Sequence, residues 1–102
     1  MLPVIKEAIK QGALKDPVEI ETKEGSPFEA MERDYGVTVE DLMCEITGSL
    51  IDGYLWYAGG DKYHLAVEQY ENPWSSIQVL YTFHDRDLAN AIEAQALEGQ
   101  DE

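Results

Sequence analysis

Basic side chains are scarce in this chain: seven lysines and arginines face twenty-one aspartates and glutamates across 102 residues, a net charge of −14. Affinity for nucleic acid is built largely from cations that displace counterions at phosphates, so the shortage argues against direct nucleic-acid binding. Cysteine is nearly absent too. Cys44 stands alone, which excludes an intrachain disulfide, and its acidic neighbours Glu40, Asp41 and Glu45 raise a thiol pKa rather than lower it. It reads as a packing residue. No apolar run approaches membrane-spanning length, and the first residues lack a basic segment followed by an apolar stretch. The expectation is a soluble, cytoplasmic protein.

Chemistry-bearing motifs are missing as well. The chain has no Gly-x-Ser-x-Gly elbow, no phosphate-cradling glycine loop, no paired cysteines and no His-x-x-x-His spacing. His64 and Glu68 share a strand face, and His84 adjoins Asp85, but neither pair carries metal specificity. Asp52 and Glu68 supply two carboxylates of the kind general acid–base catalysis uses. Among twenty-one such groups some proximity is inevitable. The reading is a non-enzymatic protein with no catalytic residue, cofactor or metal.

What is present is a core and an uneven charge. Hydrophobic residues make up 44% of the chain, with ten aromatics, enough to fold one domain over 1–102 with a fraying acidic tail at 98–102. Residues 1–34 carry eight acids and five bases; residues 35–102 carry thirteen acids and only Lys62 and Arg86. Adaptation to a salt-rich cytoplasm is disfavoured by five lysines against two arginines and thirteen glutamates against eight aspartates.

Leu2, Ile5, Ile9 and Ala13 recur at helical spacing, with Gly12 placed to end the helix. Val18 and Ile20 alternate with Glu19 and Glu21, predicting an edge strand over about 17–22. Ser26-Pro27-Phe28-Glu29 has the form of a capping box opening a helix that stops at Gly36. Thr38-Val39-Glu40-Asp41 repeats the signal, and Val39, Leu42, Met43, Ile46 and Leu50 predict a second helix with Glu40, Asp41 and Glu45 outward. The pair has a helix-turn-helix outline, but its acidic face is wrong for phosphates. Residues 50–57, 62–70 and 76–83 predict a three-stranded antiparallel meander. Gly59 and Gly60 read as a two-residue turn that places Tyr54, Trp56, Tyr63 and Leu65 on one face. A final helix is capped by Asp85 or Asp87 and carries Leu88, Ile92 and Ala96. The fold class is α+β, with about four helices packed mainly on one face of the sheet.

The functional expectation follows from the charge. Candidate partner-binding acids are Glu40, Asp41 and Glu45 on one helix; Asp52, Asp61, Glu68 and Glu71 around the sheet; and Asp85, Asp87 and Glu93 at the last helix. Such carboxylates suit a protein that docks on a basic, nucleic-acid-binding surface of a partner, such as a nuclease, and inhibits it as a DNA mimic. Anti-restriction and anti-CRISPR inhibitors of phages and mobile elements share this composition. One alternative is an immunity protein or antitoxin that neutralises a basic toxin. Another is a homodimeric regulatory or structural subunit that uses an apolar sheet face of Leu55, Tyr57, Tyr70 and Leu80.

Overall fold

The structure, a computed structural model, describes residues 3–20, 27–47, 52–72 and 75–100; the side chains at 69–77 and 99–100 fall outside the description. Helix α1 spans Pro3–Gln11 and buries Ile5 and Ala8 while Lys6, Glu7 and Lys10 face outward. Gly12, at φ 73°, turns the chain out of the helix. Ala13 N–H donates to the Ala8 carbonyl at 2.9 Å and Gly12 N–H to Ile9 at 3.1 Å, the paired closure that a left-handed glycine makes available. Strand β1, Lys15–Ile20, follows. Helix α2, Pro27–Tyr35, has proline at its first position and stops before Gly36 at φ 69°. Ser26, the expected cap, lies outside the described residues.

The expected helix beginning at Thr38 is not formed. Its start signal is real: the Asp41 carboxylate accepts from Thr38 N–H at 3.1 Å and from the Thr38 hydroxyl at 3.0 Å. That signal closes only a single 3-10 turn, Val39–Asp41, and the chain then extends as β2, Leu42–Thr47. Six residues with Cys44, Ile46 and Thr47 among them suit a pleated strand. Pairing with β3, Asp52–Tyr57, satisfies the backbone groups on that side of the strand in a ladder. The helix-turn-helix outline disappears with the helix, and Leu50 lies outside the described residues.

Strands β4, Tyr63–Asn72, and β5, Ser75–Phe83, and helix α3, Arg86–Gln100, complete the order. The five strands form one antiparallel sheet in the order β1-β5-β4-β3-β2. The fold is α+β as expected, but with five strands and, among the described residues, three α-helices. Helix α3 continues over 98–100, the start of the segment expected to fray.

The β3–β4 register differs from expectation by one residue. Ala58 N–H bonds the Lys62 carbonyl at 2.9 Å and Lys62 N–H bonds Gly59 at 3.0 Å, so Asp61 joins the two glycines in the turn. Tyr57 therefore faces Tyr63, Trp56 faces His64, and Tyr54 faces Ala66. A one-residue slip exchanges faces. Tyr54 and Trp56 join His64, Ala66 and Glu68, while Leu55 joins Tyr63 and Leu65. Of the first set, Tyr54, Trp56 and Ala66 pack with Leu80, Ile20 and the α2 residues Ala30 and Met31; the second packs with Ile5, Ala89, Ile92 and Ala96 of α1 and α3. Helices thus lie on both faces, two on one and α2 on the other.

Candidate functional site

Register brings together three of the expected acids. Glu45 of β2 is the direct partner of Tyr54 on β3, whose partner on β4 is Ala66; Asp52 and Glu68, two residues along from Tyr54 and Ala66, lie on the same sheet face. All three carboxylates act on the Tyr54 hydroxyl. Burial first, then the charges of Glu45, Asp52 and Glu68, push its pKa upward, because each disfavours a further negative charge. Tyr54 is half-buried, and its ring meets Phe28 of α2 at 4.5 Å between centroids and Trp56 at 5.7 Å. Phe28 also meets Trp56 at 5.6 Å, edge to face. The result is an aromatic group of three rings with carboxylates beside it on the α2 side of the sheet.

The remaining expected acids are scattered. Glu40 is exposed on the 3-10 turn and Asp41 is engaged with Thr38. Because β2 replaces the helix, these two no longer share a helical face with Glu45. Asp85 caps α3 by accepting from Leu88 N–H at 3.2 Å, and Asp87 lies exposed in the first turn of α3. Asp61 sits on the β3–β4 turn, 3.6 Å from His84 Nδ1. Glu93 lies on α3, where its charge adds to burial in pushing the Cys44 thiol up to about 11. That thiol is a poor nucleophile. The Glu71 side chain lies outside the description.

The apolar quartet expected to form one interface is divided. Leu55 is sealed beneath α1 and α3, Leu80 is sealed on the α2 side, and Tyr57 is 40% exposed. The Tyr70 side chain is outside the description.

Two features of the structure have no local signal in the sequence. His64 is only 3% exposed, with Nδ1 3.2 Å from the Thr82 hydroxyl and its ring 5.4 Å from Tyr35. Burial, then the charges of Lys62 and His84, lower its pKa. Its alternation with Ala66 was visible, but its burial depended on α2 covering that face. The second feature is a groove at the turn end of the sheet, between β3–β4 and α3. Its residues are far apart in sequence, and only the topology joins them.

Among the described residues, no group of three or more His, Cys, Asp or Glu side chains is arranged to hold a metal ion. No described helix is long and apolar enough to cross a membrane. Comparison with protein-family models, curated proteins and solved structures gives no match to this chain.

Proposed function

We propose that this chain is a non-enzymatic acidic binding protein that docks on a basic, nucleic-acid-binding surface of a partner protein and inhibits it. The observation that carries the reading is the convergence of Glu45, Asp52 and Glu68 around Tyr54, beside Phe28 and Trp56. Carboxylates on a rigid sheet occupy positions that phosphates would take on a basic groove, while the half-buried rings of Tyr54 and Phe28, backed by the buried Trp56, offer edges and faces to arginine and lysine. The net charge of −14 adds long-range steering toward a cationic partner. A nuclease or a basic toxin presents such a groove.

Capture from the native host followed by mass spectrometry identifies the partner; recovery of proteins without a basic surface would sink the reading. With the partner in hand, the combined variant Glu45→Lys, Asp52→Lys and Glu68→Lys should weaken binding by about a hundredfold or more while far-UV circular dichroism is unchanged. Affinity should also fall as salt rises from about 50 to 300 mM.

A further inference from the structure

The groove at the turn end of the sheet has a volume of about 400 Å³ and is lined by Met43, Tyr57, Tyr63, Asp61, Arg86 and Asn90, with the Gly60 backbone. That size is in the range of small-molecule sites, roughly 300 to 1,000 Å³. Both tyrosine rings are fixed before any ligand arrives. The Tyr57 hydroxyl donates to the Gly60 carbonyl at 2.8 Å, and Tyr63 stacks on Phe83 with centroids 5.4 Å apart and planes 21° apart. The two rings lie 5.6 Å from each other. Walls held this way lose little conformational freedom on binding.

Charge gives the groove its selectivity. Arg86 is one of only two lysines or arginines in residues 35–102. It sits in the first turn of α3, where the helix dipole disfavours a cation, and among the described residues no carboxylate reaches it within ion-pair distance. Asn90 lies one turn further along the same helical face. Asp61 lines the same groove but is not within ion-pair distance of Arg86; its Oδ1 lies 3.6 Å from Nδ1 of the exposed His84. Opposite charges are therefore held apart across an aromatic-walled space.

We infer that this groove binds a zwitterionic small molecule, an α-amino acid with an apolar side chain. Its carboxylate faces the Arg86 guanidinium and the Asn90 amide, its ammonium faces Asp61, and its side chain packs against Met43 and Tyr57. A simple anion would be opposed by the field of a chain at −14. A simple cation would leave the Arg86 guanidinium facing like charge. A zwitterion carries no net charge and satisfies both groups. The inference is independent of whether the carboxylates around Tyr54 dock a partner.

The test is titration of the intact ¹⁵N-labelled chain with L-leucine and L-phenylalanine, followed by amide chemical shifts. Saturable shifts centred on Gly60, Asp61, Arg86 and Asn90 are expected. Leucinamide, which lacks the carboxylate, and N-acetyl-leucine, which lacks the ammonium, should each bind about tenfold or more weakly than leucine. Arg86→Gln and Asp61→Asn should each weaken leucine binding by a similar factor, with circular dichroism unchanged because both side chains are exposed. Absence of saturable shifts at these residues overturns the inference. So does equal binding of either one-charge analogue, which would make the groove a plain cation or anion site.

Discussion

Toward α1 and α3 the sheet presents Leu55, Tyr63, Leu65, Val67, Val79, Tyr81 and Phe83, all buried and closed over by Ile5, Ala8, Ala89, Ile92 and Ala96. Toward α2 it presents Trp56, Ala66 and Leu80, but also His64, Thr82, Gln78 and Tyr54 with its carboxylates. Among the described residues none hydrogen-bonds the buried Gln78 Oε1, a deficit of the kind that costs about 1 to 3 kcal/mol. One face is optimised for burial, while the other tolerates polar groups that burial alone would select against. The difference places the larger, wholly apolar packing on the α1 and α3 side and the smaller core, mixed with polar groups, on the α2 side.

The largest expected effect comes from truncating matched leucines. Leu65 and Leu80 are both almost fully buried, on opposite faces. Leu65→Ala should cost about 3 to 5 kcal/mol in urea unfolding, and Leu80→Ala nearer 2 kcal/mol. The nine-residue α2 can settle into the space, whereas two helices lock the other face. Equal losses would break the comparison. Gly53→Ala tests how tightly β3 and β4 meet: an added Cβ would lie 2.7 Å from the Ala66 carbonyl oxygen and 3.0 Å from Val67 Cγ1. A loss of about 1 to 3 kcal/mol is expected, and an unchanged unfolding midpoint would show that the strands part easily.

The smallest effect is a pH dependence on the α2 side. His64 has a lowered pKa when folded, so the unfolded chain takes up its proton more readily. The stability due to neutral His64 is full above the ordinary value near 6.5 and declines as pH falls from there toward the folded value. Protonating carboxylates relieves repulsion and acts in the opposite direction, so the comparison is with His64→Asn. Between about pH 7.5 and 5.5 the native chain should lose more stability than the variant. Parallel pH profiles would remove His64 from the account of that face.

Three helices and the last three strands were legible because their signals are local: Gly12 and Gly36 end α1 and α2, Asp85 caps α3, and β5 alternates cleanly. Strand β2 was not. Val39, Leu42, Met43 and Ile46 fit helical spacing as well as they fit a short strand, and the choice was made by pairing with β3. The turn at Gly59 and Gly60 was recognised, but the inclusion of Asp61 was decided by the Ala58–Lys62 hydrogen bonding. That one residue reassigned every side chain of β3 relative to β4. Of the acidic site, Glu45, Asp52 and Glu68 were named from charge alone, while their meeting at Tyr54 required the correct register. The groove was illegible, since Met43, Tyr57 and Arg86 come from three elements.

The backbone of β1 has a consequence for assembly. Asp16 holds φ at 50°, Pro17 has no N–H to donate, and the ladder with β5 shifts between Lys15 and Val18. A neighbouring chain seeking to extend the sheet at this margin meets a bent, donor-poor strand with exposed Lys15, Asp16 and Glu19. Growth by strand addition is thereby turned away from β1. The opposite margin, β2, is where a further strand would have to enter, next to Glu45, so any polymer of like-charged copies would begin against electrostatic resistance.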